Sequence, residues 1–153
     1  MIENINLSDK KVLLRVDYNV PIENSLVLDD YRIKKSLQTI NYCLEQGAAI
    51  TIMSHLGRPN GFDESLSLRP VADRLSEILN KEVLFSDDCI SDKALLKSTT
   101  LDKGQIHLLE NLRFHEGELN NDANFSKILS FHGDVYINDA FGTAHRAHAS
   151  NVG

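Results

Sequence analysis

Short apolar runs of strand length alternate along this chain with stretches whose apolar residues fall at helical spacing, and that alternation leaves few architectures open. The strand-like runs are Val12 to Val16, Ala48 to Met53, Glu82 to Phe85, Gln105 to Leu109 and Asp134 to Ile137. After the first run and a turn over Ile22 to Ser25, Asp29-Asp30 marks a helix start, where carboxylates meet the positive end of the helix dipole. One helix is expected there, with Ile33, Leu37, Ile40 and Leu44 as its inner stripe and Gly47 as its stop. A second begins at Ser67 and Pro70, buries Val71, Leu75, Ile78 and Leu79, and ends at Asn80. Further helices are expected over Asp92 to Lys97 and over Asp122 to Phe131, the latter with Phe125, Ile128 and Leu129 on one side. The pattern predicts an α/β fold of the Rossmann-like, doubly wound kind: a parallel sheet sandwiched by helices, with right-handed crossovers.

In such a sheet, ligands bind beyond the carboxyl ends of the strands, so residues just after different strands converge on one crevice. Four of the five strands run into loops of that kind: Asp17-Tyr18-Asn19, Ser54-His55-Leu56-Gly57-Arg58-Pro59, Asn111-Leu112-Arg113-Phe114 and Gly142-Thr143-Ala144-His145-Arg146. Arg58, Arg113, Arg146 and the helix-entry residue Arg32 offer permanently charged donor forks that match carboxylate and phosphate oxygens. Gly57 and Gly142 let the backbone approach a ligand, while Asp17 and Asn19 can address hydroxyl groups that arginine does not select. The combination predicts a site for a small phosphorylated hydroxy acid.

Composition sharpens that expectation. Lys and Arg number 16 against 22 Asp and Glu, a net charge of −6, so the overall field repels nucleic acid and anionic membranes, and clustered arginines must act locally. The 153 residues suit one domain, and at 42% hydrophobic they supply a real core. Cys43 and Cys89 form no disulfide scaffold or paired motif, the first ten residues lack an export signal, and no run of apolar residues reaches membrane length, which together predict a cytoplasmic protein.

Taken singly, each arginine reads as a surface ion-pair partner; their shared placement after strands favours the site. Arg69 and Arg74 lie on helices and read as solvated faces, and Arg15, inside the first strand, suits either an inward ion pair or the anion site. His145 and His148 have the spacing of a metal pair on a helix, but no Cys or Glu completes the set, so no metal site is expected. His55 is positioned to donate to an anion or to orient its turn, and His107, His115 and His132 form no constellation in the sequence. Neither a phosphate-binding P-loop nor a Gly-x-Gly-x-x-Gly fingerprint follows the first strand, and no Gly-x-Ser-x-Gly elbow occurs.

The runs Arg15-Val16-Asp17-Tyr18-Asn19-Val20-Pro21, Ser54 to Pro59, Leu109-Glu110-Asn111-Leu112-Arg113-Phe114 and Asn138 to His148 resemble, motif by motif and in order, the phosphoglycerate kinases. The resemblance implies reversible phosphoryl transfer from 1,3-bisphosphoglycerate to ADP, giving 3-phosphoglycerate and ATP. It also implies that residues 1–153 are the N-terminal, 3-phosphoglycerate-binding domain of a glycolytic enzyme that is usually monomeric. Mg-ATP or Mg-ADP would be held mainly by a C-terminal domain outside this chain, so the segment alone would be inactive. Asp17, Tyr18 and Asn19 would lie at the glycerate end, with Leu56 and Gly57 lining the site. His55, Arg58, Arg113 and Arg146 would hold the phosphate that is not transferred, and Arg32 would bind the carboxyl end and act catalytically on the phosphoryl in flight. Arg15, His145 and His148 would supply an auxiliary anion site. Tyr18 stands where the family usually has phenylalanine, and the turn Glu23-Asn24-Ser25 lacks a glycine often found there. The alternative is a stand-alone domain that binds small phosphorylated acids without chemistry.

Overall fold

The computed structural model describes residues 6–115, 122–139 and 146–149. Along the chain the elements are β1 (Lys11–Val16), β2 (Ile22–Glu23), β3 (Leu26–Val27), α1 (Tyr31–Lys35), α2 (Leu37–Glu45), β4 (Ala49–Met53), α3 (Arg69–Leu79), β5 (Val83–Ser86), α4 (Asp92–Thr99), β6 (Ile106–Leu109), α5 (Ala123–Ser130), β7 (Val135–Asp139) and β8 (Arg146–Ala149). Two 3-10 turns, Glu64–Leu66 and Leu112–Phe114, lie between them. The five expected strands form within two residues of their anticipated bounds, in the order β5-β6-β4-β1-β7, and all their pairings are parallel.

Alternation along the central strands sorts the core onto the two faces. Val12, Leu14, Ile50, Ile52, Ile106 and Leu108 pack against Ile33, Ile40, Cys43, Val71 and Leu75 of α1, α2 and α3. Leu13, Met53, Leu109 and Tyr136 face Ala94 of α4 and Phe125 and Leu129 of α5. The sheet is therefore covered on both sides, as the alternating pattern predicts. Where the turn before β7 crosses β1, a Cβ on Gly133 would lie 2.7 Å from the Leu13 nitrogen and 2.9 Å from the Lys11 oxygen, so only glycine fits. No helix among the described residues is long and apolar enough to cross a membrane.

Four features depart from the sequence expectation. A further strand, β8, pairs antiparallel with β7 from Val135↔Ala149 to Asn138↔Arg146. The helical reading of the His145 and His148 spacing therefore gives way to a strand over Arg146–Ala149, and His145 lies outside the described residues. The single helix expected before Gly47 is two, broken at Ser36, whose hydroxyl donates to the Ile33 carbonyl (2.6 Å) and meets the Tyr18 hydroxyl at 2.7 Å. Arg74 is more than a solvated face: its Nη2 and Nε donate to Asp30 Oδ2 at 2.7 and 3.0 Å, tying α3 to the start of α1 and holding the Asp30 carboxyl below its usual range. Arg69 likewise lies over the Phe85 ring, 4.6 Å from its centroid.

The fourth is a two-stranded ribbon, β2 with β3, closed by Asn24 (φ 53°) and Ser25 (φ 63°). Positive φ at both central residues is the primed turn that matches strand twist, and it is where a glycine costs least. Ser25→Gly is expected to stabilise the fold by ~0.5–1 kcal/mol, since relief of the left-handed strain exceeds the added freedom of the unfolded chain. The midpoint of urea unfolding measures this, and an unchanged or lower midpoint would show that the Ser25 backbone carries no such strain.

Candidate functional site

Because β6, β4 and β1 are neighbours, the loops that follow them stand side by side at the carboxyl edge of the sheet. Backbone donors and short polar side chains lock them together. Tyr18 N–H donates to Ser54 Oγ (2.9 Å), Gly57 N–H to Asn19 Oδ1 (2.9 Å), and Leu112 N–H to the Ser54 carbonyl (3.0 Å). Asn111 uses its whole amide: Oδ1 accepts from Leu56 N (3.1 Å) and Arg113 N (3.0 Å), while Nδ2 donates to the carbonyls of Leu56 (2.7 Å) and Leu66 (3.0 Å). Beneath it the buried carboxylate of Glu110 accepts from Ser67 Oγ (2.6 Å) and from the backbone N–H groups of Leu68 and Asn111 (both 2.8 Å). Each buried polar group named here is satisfied, as a rigid scaffold requires.

On this scaffold the charged groups are arranged unequally. Arg32 leans from α1 across the first loop, its Nη1 donating to Asp17 Oδ1 (2.9 Å) and to the Asn19 carbonyl (3.1 Å). Asp17 Oδ1 also accepts from Asn19 N–H (3.0 Å), so Asp17, Asn19 and Arg32 are one unit. Gly57 has a φ of 62°, and a Cβ there would meet Leu66 Cδ2 at 2.9 Å, so the tight turn that presents Arg58 depends on glycine. Arg58 is exposed, and neither it nor Arg113 has a carboxylate partner among the described residues. Among the described residues Arg113 Nη1 reaches only the Gly57 carbonyl, at 3.5 Å, and its buried Nε has no hydrogen-bond acceptor. A buried guanidinium N–H without an acceptor is unfavourable by itself and is relieved by an incoming anion.

The residues expected at the site are thus only partly brought together. Asp17, Asn19, Arg32, Gly57 and Arg113 are directly linked, and His55 and Arg58 lie on the same middle loop. The Tyr18 side chain departs from its expected place: it is fully buried beneath the crevice, its hydroxyl on Ser36. Burial pushes the phenol well above its usual range. Leu56 is also buried, and its backbone N–H and C=O are both taken by Asn111. Arg15 is partly buried in β1, and the backbone of Arg146 starts β8 opposite Asn138, at the carboxyl end of β7. Ser54, Glu110 and Asn111 are scaffold residues, not among those expected to contact a ligand. Their signal in the sequence is a polar residue placed directly after an apolar strand.

The fold and the loops define a doubly wound α/β domain with a cationic crevice at the carboxyl edge of its sheet. Comparison makes the relation specific. The sequence model of one family, phosphoglycerate kinase, matches residues 2–153. The phosphoglycerate kinase of Wolbachia sp. subsp. Drosophila simulans (strain wRi) is 52% identical over 149 residues, which are 97% of this chain and 37% of that protein. That of Dictyoglomus turgidum (strain DSM 6724 / Z-1310) is 49% identical over 148 residues, with the same two coverages. Among solved structures, phosphoglycerate kinase from Coxiella burnetii superposes with a TM-score of 0.81 at 42% identity, over 97% of this chain and 37% of the other. The enzyme from Pyrococcus horikoshii OT3 gives a TM-score of 0.83 at 36% identity, over 96% and 38%. The chain belongs to the phosphoglycerate kinase family, and it spans a little over a third of the length of the relatives it matches.

Proposed function

We propose that residues 1–153 form the N-terminal domain of a phosphoglycerate kinase and hold 3-phosphoglycerate or 1,3-bisphosphoglycerate while the phosphoryl group passes to or from the nucleotide. The observation that carries this reading is Arg113: its buried Nε lacks an acceptor, and neither it nor Arg58 meets a carboxylate, beside a crevice that also holds Asp17, Asn19 and Arg32. On this reading His55, Arg58, Arg113 and Arg146 hold the phosphate that stays on the substrate. The Asp17 and Asn19 pair addresses the hydroxyl end, and Arg32 bridges to the carboxyl group where transfer occurs. Mg-ATP or Mg-ADP belongs to the remaining length of the family's chains. The crevice supports that division, because Asp17 is already committed to Arg32 and Asn19 rather than left for a hard cation. The protein then works as a cytoplasmic monomer in glycolysis.

Titration of the isotope-labelled chain with 3-phosphoglycerate, followed amide by amide, tests the reading. Saturable shifts are expected at Asn19, His55, Gly57, Arg58 and Arg113, smaller with inorganic phosphate alone. Affinity should fall as salt rises, because several exposed or half-exposed arginines act on one small polyanion. A well-dispersed spectrum with no saturable shifts, or an affinity indifferent to salt, would remove the proposed site.

A further inference from the structure

Outside the crevice, three potential metal ligands meet where the loop between β5 and α4 approaches the turn after β6. We infer that Asp88, Cys89 and His115 form a binding site for a soft divalent cation, Zn²⁺ foremost, that staples this loop to the turn after β6. A carboxylate oxygen, the thiol sulfur and an imidazole nitrogen from these residues all lie within 4.8 Å of one another. Asp88 Oδ1 already meets His115 Nε2 at 2.6 Å and accepts from Cys89 N–H at 2.6 Å, so the loop is drawn towards the turn. The His115 ring is held in turn against Phe125, with centroids 5.2 Å apart.

The donor set decides the cation. A thiolate with an imidazole and one carboxylate suits Zn²⁺, whereas Mg²⁺ and Ca²⁺ take oxygen ligands. In a tetrahedral zinc site, with bonds of ~2.0–2.3 Å, neighbouring ligand atoms stand roughly 3.3–3.8 Å apart. Entry of the ion therefore requires the His115 and Asp88 pair to open by about 1 Å. Both side chains are only partly buried, 26% and 37% exposed, and can make that movement while the backbone stays in place. The Cys89 sulfur, which now donates to the Glu110 carbonyl at 2.9 Å, must turn from it. Asp88 and His115 also line a cavity of about 200 Å³ together with Glu110, Asn111 and Phe114, which offers room for water as a remaining ligand. Binding releases the thiol proton to solvent, and the hydrogen between Nε2 and Oδ1 passes to Nδ1 or to solvent, so affinity rises with pH. The thiolate and carboxylate then balance the charge of the cation.

A packed thiol beside a His–Asp pair would show the same hydrogen bonds without any ion, and Co²⁺ distinguishes the two. Adding Co²⁺ to the 153-residue chain is expected to give thiolate-to-metal charge-transfer absorption with the visible bands of a tetrahedral site, saturating at a single ion and lost when Zn²⁺ is added. Cys89→Ser should abolish the charge-transfer band. His115→Ala, made at a partly exposed side chain and so a second route should the serine variant not fold, should weaken binding at least ~10-fold, the least that loss of even an outer-shell partner typically causes. His145→Ala/His148→Ala should leave the spectrum unchanged. Absence of a charge-transfer band in the unmodified chain, or binding that survives His115→Ala and vanishes in the His145/His148 variant, overturns the inference.

Discussion

Arg32→Ala, made in a phosphoglycerate kinase whose N-terminal segment is this chain, is expected to lower kcat at least ~100-fold, about 2.7 kcal/mol. Phosphoryl transfer asks little covalent chemistry of a protein and much positioning and neutralisation of the equatorial oxygens. On the proposed reading Arg32 is held ready for that task, because Asp17 Oδ1 and the Asn19 carbonyl anchor one end of its guanidinium. Its Nη2 and Nε carry no hydrogen bond to a described residue, which on that reading leaves them for the substrate. An anchor made within the protein needs no rearrangement at the moment of transfer, which is where preorganised charge acts most strongly. Lysine at the same position keeps the charge but not the fork, and should recover only part of the rate. If KM rises while kcat holds, Arg32 contributes uniform binding, and its place in the transfer step is lost.

How much of this was readable beforehand depends on the range over which each feature is decided. The apolar runs and helical stripes are local, and the five parallel strands, the Pro70 start of α3 and the left-handed stop at Asn80 (φ 50°) lie where the sequence puts them. Features set by a partner far along the chain were not legible. At the break Ser36 meets the hydroxyl of Tyr18, and the sequence shows only that this hydroxyl needs a partner if buried. β8 has the composition Arg-Ala-His-Ala, with no strand signature of its own, and β7 supplies its pairing. At the site, the arginines and glycines were conspicuous because few other roles suit them after a strand. The residues that hold them, Ser54, Glu110 and Asn111, make contacts spanning 36 to 55 positions, which no local pattern encodes. His107 and His132 form no constellation in the sequence for the same reason, since they meet through Ser98.

Those two histidines carry the other large effect: stability is expected to fall steeply as pH drops from 6.5 towards 5, through the protonation of imidazoles that the folded chain keeps neutral. Both are fully buried, in one network with Thr51, Ser86, Ser98 and the Cys89 carbonyl. The carbonyl can only accept, so His132 Nε2 donates to it (2.6 Å), and His132 Nδ1 then accepts from the Ser98 hydroxyl (2.6 Å). The Ser98 oxygen accepts in turn from Thr51 Oγ1 (2.9 Å) and His107 Nδ1 (3.0 Å), leaving His107 Nε2 to accept from Ser86 Oγ (2.6 Å). Every donor finds an acceptor with both rings neutral, and a further proton on either ring sets donor against donor. Burial, with any proton on His132 and the neighbouring Lys97 adding to it, pushes His107 down from 6.5 to about 3, and burial lowers His132 as well. Because the folded values are depressed, the stabilisation is complete above the unfolded value of 6.5 and is lost as pH falls below it, the unfolded chain taking up protons that the folded chain refuses. At pH 5 the His107 ring kept neutral corresponds to ~2 kcal/mol lost relative to the alkaline plateau, a large part of the ~5–15 kcal/mol typical of a small domain, and His132 acts in the same direction. Most carboxylates titrate below this window, so urea unfolding at pH 8, 6.5, 5.5 and 5 isolates the histidines. A free energy of unfolding that stays flat over that range would mean that the network accommodates imidazolium, and the neutral relay from Ser86 to the Cys89 carbonyl would have to be abandoned.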